Sequence, residues 1–153
     1  MPDRTPQTEI PSRPQVRKLP ITIGEFRKNY EEQGLLSEAN KILEVFDTAT
    51  KEHPTVVIRP TPMFYCLYIG NNGIQVFLNA DPQKYHGVYV YQPISYESVL
   101  ELGDQLELQV KKSDNPNFAE IIVFNGIDGI KQVSAVIDKL VSGLIQIFEQ
   151  SAS

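Results

Sequence analysis

The sequence predicts an α+β domain over residues 21–153, in which an antiparallel sheet of about five to six strands packs against helices. Three observations carry that expectation. A run of short apolar segments is separated by tight-turn residues, which favours antiparallel pairing. Helical periodicity flanks those segments rather than alternating with each of them. The last 25 or so residues form the strongest amphipathic pattern in the chain.

The elements follow in order. Thr22-Ile23-Gly24-Glu25 has the spacing of a capping box, so a short helix is expected from there to about Gln33, with Gly34 as its stop. Ser37 is placed to cap a second helix, whose apolar positions Ala39, Ile42, Leu43, Val45, Phe46 and Ala49 end before His53-Pro54. Thr55–Ile58 is a short β-branched strand. Phe64–Ile69 and Ile74–Leu78 form a hairpin around Gly70-Asn71-Asn72-Gly73, where Asn-Gly tolerates the positive φ a tight turn needs. Gly87–Tyr91 is the next strand, with Val88 and Val90 on one face and Tyr89 and Tyr91 on the other.

Ser95 is expected to cap a short helix, Tyr96–Leu102, stopped by Gly103. Asp104–Lys111 alternates, with Leu106, Leu108 and Val110 on one side, and is expected to be a strand with one wet face. Phe118–Phe124 is its partner across a polar loop. Asp128 is the expected N-cap of the last helix, which carries Ile130, Val133, Ile137, Leu140, Val141, Leu144 and Phe148 as a stripe. The expected order is α-α-β-β-β-β-α-β-β-α, and that helix is expected to complete either the core or a homodimer interface.

Residues 1–20 differ in kind. They hold Pro2, Pro6, Pro11, Pro14 and Pro20, contain no aromatic residue, and carry four basic against two acidic side chains. Residues 21–153 carry 10 basic and 17 acidic side chains, or −7. A segment with so little apolar surface cannot offset its ordering entropy, so a disordered tail with polyproline II character is expected. No apolar run approaches the roughly 20 residues that span a bilayer. The first residues lack the apolar stretch of a secretory signal. The expectation is a cytoplasmic protein with no membrane partner.

The chemistry-bearing residues are few. The single Cys66 cannot form an internal disulfide and lies in an apolar run, as a small buried hydrophobe does. His53 and His86 have neither a second histidine nor a cysteine at metal-ligand spacing, so neither a metal nor a cofactor is expected. Gly70–Gly73 and Gly126–Gly129 lack the phosphate-loop pattern. His86 with Asp81 has the composition of an acid–base pair. Asp81, Asp104, Glu107 and Lys111 have that of an incomplete nuclease-like cluster. If the chain is a metal-dependent nuclease or hydrolase, Asp81, His86, Asp104, Glu107 and Lys111 carry it. A charge of −7 opposes nucleic-acid binding, although Arg59, Lys84, Lys111 and Lys112 leave a nucleic-acid-associated role as an alternative.

The tyrosines are the stronger pointer. Tyr65, Tyr68, Tyr85, Tyr89, Tyr91 and Tyr96 are six of the chain's seven and fall within 32 residues. An apolar body with a polar tip suits a half-exposed contact surface. In size, acidity, sheet-between-helices layout and amphipathic last helix the chain resembles small secretion chaperones and related adaptor domains, a likeness of character with no motif behind it. It implies a non-catalytic protein-binding module. The expected contacts are Tyr68, Tyr85, Tyr89, Tyr91 and Tyr96, with Arg13, Arg17 and Lys18 of the tail as a second contact.

Overall fold

A computed structural model of the chain describes residues 19–70, 73–91, 94, 96–112 and 118–152. Its elements are α1 (Ile23–Glu31), α2 (Leu36–Glu52), β1 (Val56–Ile58), β2 (Phe64–Ile69), β3 (Ile74–Asn79), β4 (Tyr85–Tyr91), α3 (Tyr96–Gln105), β5 (Val110–Lys112), β6 (Phe118–Asn125) and α4 (Gly126–Ala152). The strands form one six-stranded antiparallel sheet in the order β1-β2-β3-β4-β6-β5. Fold class and element order are those read from the sequence. The proline-rich segment, with Arg13, Arg17 and Lys18, lies outside the described residues up to position 18, as do Ser95 and the Asn71-Asn72 turn.

The first helix forms for the reason its sequence gives. The Thr22 hydroxyl accepts from the Glu25 N–H at 3.1 Å while the Glu25 carboxylate accepts from the Thr22 N–H at 3.0 Å. The helix ends in a Schellman turn. The Leu35 N–H reaches the Tyr30 carbonyl at 2.8 Å, and Gly34 between them takes φ 75°, where a side chain is disfavoured.

Several boundaries differ from the sequence reading. Helix α2 starts at Leu36, with no side-chain cap, so Ser37 lies inside its first turn. Helix α4 starts at Gly126, directly after β6, so Asp128 sits in the first turn and is not the cap. The sharp change of direction falls on Gly126, at φ 65°, whose N–H bonds to the Lys84 carbonyl at 2.9 Å. Gly103 does not stop α3. Its bare Cα faces Val110, whose Cγ2 stands 2.4 Å from where a Cβ would be, so the glycine serves close packing while the helix continues to Gln105.

The expected strand Asp104–Lys111 therefore shrinks to Val110–Lys112. Residues 103–108 form a second Schellman turn instead. The Leu108 N–H bonds to the Gly103 carbonyl at 2.7 Å and the Glu107 N–H to the Asp104 carbonyl at 3.2 Å, with Glu107 at φ 60°. Leu108 is buried by this reversal rather than by a strand pleat, which is how the alternating pattern arose.

All four helices lie on one side of the sheet. Their apolar faces meet Tyr65, Leu67 and Ile69 of β2, Ile74, Val76 and Leu78 of β3, and Val88 and Val90 of β4. Ile130, Val133, Ile137, Leu140, Val141 and Leu144 of α4 are buried inside the chain, so this helix completes the core. Its Phe148 ring lies against the β2–β3 turn, where Cβ atoms on Gly70 and Gly73 would collide with it. Among the described residues no helix is long and apolar enough to cross a membrane.

Candidate binding face

The other side of the sheet carries no helix among the described residues. Strand pairing decides which side chains share it. Tyr68 faces Gln75, which faces Tyr89; Cys66 faces Phe77, which faces Gly87; Gly87 faces Val123. Phe64, Val57 and Lys111 join the same surface by alternation. Tyr91 joins it past a bulge after Val90, and its hydroxyl lies 3.4 Å from Gln75 Oε1.

The centre of this face is a contiguous set of rings. Phe77 lies edge-on to Phe64 and Tyr85, at centroid distances of 5.2 and 6.0 Å, and tilts against Tyr89 at 4.7 Å. Phe64 and Tyr85 are 5.8 Å apart. Such offsets suit the ring quadrupoles and add to simple burial. Phe77 is only 3% exposed although none of the described helices covers it. Gly87 makes this possible: a Cβ there would stand 3.0 Å from Phe77 Cζ, so the ring takes the room the missing side chain leaves. Around this centre Tyr85, Val57 and Val123 are exposed at 46%, 37% and 39%, and Tyr68, Tyr89 and Tyr91 are half-buried.

At one margin the Arg59 guanidinium stands 5.7 Å over the Tyr68 ring, a cation–π contact; at the other lies exposed Lys111. The acidic side chains named in the helices, among them Glu44, Glu101 and Asp138, belong to the opposite layer. Desolvation raises the phenol pKa values of Tyr68, Tyr89 and Tyr91, so these hydroxyls stay neutral donors. Cys66 is buried beneath the face with Gln75 Nε2 3.6 Å from its sulfur, and burial raises its thiol pKa, which makes it a packing residue.

The five candidate catalytic residues are placed otherwise. His86 is wholly buried on the helical side. Its Nδ1 accepts the Asn79 N–H at 3.0 Å, and its Nε2 lies 3.3 Å from the Pro82 carbonyl, which fixes the Nε2–H tautomer. Desolvation lowers its pKa. It ties the end of β3 to the following turn and has no path to a substrate. Asp81 caps that turn, accepting the Gln83 N–H at 2.9 Å. Glu107 terminates α3, and Asp104 is exposed one turn before it. Lys111 pairs with Ile121, four residues along β6 from the Asn125 that marks the Asp81 end, or roughly 13 Å. Asp81 and Glu107 line separate clefts, and the structure does not bring the five together. No three His, Cys, Asp or Glu residues among those described gather at metal-binding distance.

Of the expected contact residues, Tyr68, Tyr85, Tyr89 and Tyr91 share the open face. Tyr96 opens α3, with its side chain outside the described part. Sequence reasoning missed Phe64, Phe77, Val57 and Val123. The available signal was β2 itself: Phe64–Ile69 is apolar on both faces, which marks a strand covered on both sides. A second concavity of about 610 Å³ lies between α2 and α4, with a floor of Val45, Ala49, Val141 and Ile145 and a charged rim that includes Lys41, Glu44, Glu52 and Glu149. The chain matches no protein-family model, no curated protein and no solved structure.

Proposed function

We propose that the domain is a non-catalytic protein-binding module, of adaptor or chaperone type, and that it receives its partner on the open aromatic face of the sheet. The observation that carries this reading is the ring cluster Phe64, Phe77, Tyr85 and Tyr89, extended by Tyr68 and Tyr91, on the side that carries no helix among the described residues. Exposed aromatic surface is costly to leave in water, and tyrosine supplies large contact area for little side-chain entropy. The half-exposed hydroxyls and the Arg59 and Lys111 margins provide the polar rim that such interfaces carry. Apposition of two such faces is the homodimer this reading allows.

The enzyme alternative loses support because His86 is sealed and Asp81 and Glu107 serve as turn and helix-end residues. Aromatic sheets also stack single-stranded nucleic acid. Two marginal cations on a domain of charge −7 favour a protein instead.

The test is capture of a partner from cell extract by the full chain, by Tyr85→Ser/Val123→Ser, and by the helix-layer control Glu44→Ser. The two face positions are exposed, so the fold survives the change. Tenfold or greater weakening in the face variant alone is expected. Equal capture by the chain and its face variant refutes the reading.

A further inference from the structure

The charges on the open face run against those of the domain as a whole. Residues 21–153 sum to −7, and every acidic residue whose side chain is described lies on a helix or in a turn. Among the described side chains of the open face the charged ones are Arg59 and Lys111, both basic and both exposed. Neither enters an ion pair with a described residue. Arg59 is held to this face in two ways. Its N–H bonds to the Cys66 carbonyl at 3.0 Å, and its guanidinium stands over the Tyr68 ring.

The two cations fix a direction and a length. Arg59 directly follows β1 at one edge of the sheet, and Lys111 lies in β5 at the other. Five strand spacings separate them, or roughly 24 Å. Arg59 belongs to the row of Cys66, Phe77 and Gly87, and Lys111 to the next row, through Tyr68, Gln75 and Tyr89. The diagonal between them is therefore about 25 Å. An extended chain rises about 3.3 Å per residue and repeats its facing every second residue, so eight residues cover about 26 Å and return to the same side. A segment crossing the strands can set one acid on Arg59 and another, eight residues on, at Lys111. The three side chains that face the sheet between them then fall along Tyr68, Phe77, Tyr89 and the exposed Val123.

Two other occupants fit less well. A second copy must approach about a two-fold axis that runs along the strands or across them. The first sets Arg59 against Lys111 and the second sets each cation against its own counterpart, so like charges meet at both margins. Single-stranded nucleic acid needs cations that track its phosphates and open ring faces for its bases. Here two cations stand about 25 Å apart, and the Phe77 ring is engaged edge-on with Phe64 and Tyr85.

We propose that the open face takes an extended acidic segment of a partner protein, laid across the strands. Its acids, eight residues apart, meet Arg59 and Lys111, and apolar or aromatic side chains face the sheet between them. This rests on the face being the docking surface, and it adds the chemistry of what docks there. Charge then selects the partner and speeds its arrival more than it tightens the complex.

The experiment selects binders to the immobilised full chain from a random library of twelve-residue peptides. Sequences with Asp or Glu at two positions eight apart, and apolar residues at the even positions between, are expected. The same selection on Arg59→Glu/Lys111→Glu should return Lys or Arg at those two positions. Lys41→Glu/Lys139→Glu makes the same change in net charge on α2 and α4 and should still return acids. All four positions are exposed, so the fold survives, and unchanged circular dichroism checks it. At low salt a selected peptide should bind Arg59→Glu/Lys111→Glu about tenfold more weakly than either the native chain or the helical-layer control. No enrichment, peptides without acids, or acids retained on Arg59→Glu/Lys111→Glu overturn the proposal. If acid-free peptides are selected and lose their binding to Tyr85→Ser/Val123→Ser, only the charge inference falls and the reading of the face stands. If they bind that variant equally, the reading of the face falls with it. A dimer of the full chain in sedimentation that Tyr85→Ser/Val123→Ser dissolves overturns the proposal and identifies a second copy as the occupant. An oligothymidylate bound more tightly than the peptides, and released by Arg59→Glu/Lys111→Glu, overturns it in favour of nucleic acid.

Discussion

The packing of Phe77 into the space left by Gly87 can be tested by a double-mutant cycle. A Cβ on Gly87 would stand 3.0 Å from Phe77 Cζ and 2.5 Å from the Ile122 carbonyl oxygen. The second clash is with backbone and can be relieved only by parting β4 from β6; the first is relieved by swinging the ring out of its contacts with Phe64, Tyr85 and Tyr89. Overpacking of this kind costs about 1–3 kcal/mol, and Gly87→Ala belongs near the upper end because both clashes act at once. Phe77→Ala removes a ring that is 3% exposed. Such truncations cost about 3–5 kcal/mol in closed cores, and the lower end applies here because the site opens to water and its neighbours can close over it. In the double variant the ring clash no longer exists. The combined loss should therefore fall short of the sum of the singles by about 1 kcal/mol, within the range for residues in contact. Urea unfolding followed by far-ultraviolet circular dichroism gives all four values; the chain has no tryptophan to follow by fluorescence. Strict additivity, or a loss below about 1 kcal/mol for Phe77→Ala, refutes the packing described.

Two further outcomes concern residues that first looked catalytic. The His86 pKa is lowered in the folded chain, so the unfolded chain takes up the proton first. Stability is then full above about pH 6.5 and declines as pH falls below it, by at most about 1.4 kcal/mol per pH unit. Urea unfolding between pH 5 and 7.5 should show that decline in the native chain and a shallower one in His86→Gln; equal slopes contradict the buried neutral imidazole. Glu107 holds φ 60° at a helix end where glycine is favoured. Glu107→Gly should raise stability by about 1 kcal/mol, since the strain removed exceeds the added chain entropy. A measured loss contradicts the left-handed assignment.

Much of this architecture is legible in the residues because the signals are local. The Thr22–Glu25 box and the Gly34 stop each act within four residues. The alternation of Val88 and Val90 against Tyr89 and Tyr91 assigned the faces of β4 correctly. What failed depended on distant contacts. Gly103 has the composition of a helix stop, yet it is kept bare by Val110, seven residues away. Leu106, Leu108 and Val110 alternate like a strand, but a Schellman turn produces that spacing. The candidate face was half visible: its tyrosines stand out by composition, whereas Phe64, Phe77 and Val123 join them only through the registers of β2, β3, β4 and β6. Asp81 and His86 remain neighbours across the turn, but the pleat of β4 turns the imidazole into the core, where its nitrogens meet the Asn79 N–H and the Pro82 carbonyl.

The most direct measurement of the central claim is site-specific photocrosslinking with a benzophenone side chain placed at Tyr85 on the open face or at Asp138 on α4, each in the full chain with its captured partner. Crosslinks to the partner from position 85, and none from position 138, are the expected result. Crosslinks from position 138 alone would contradict the account and move the interface to the helical layer.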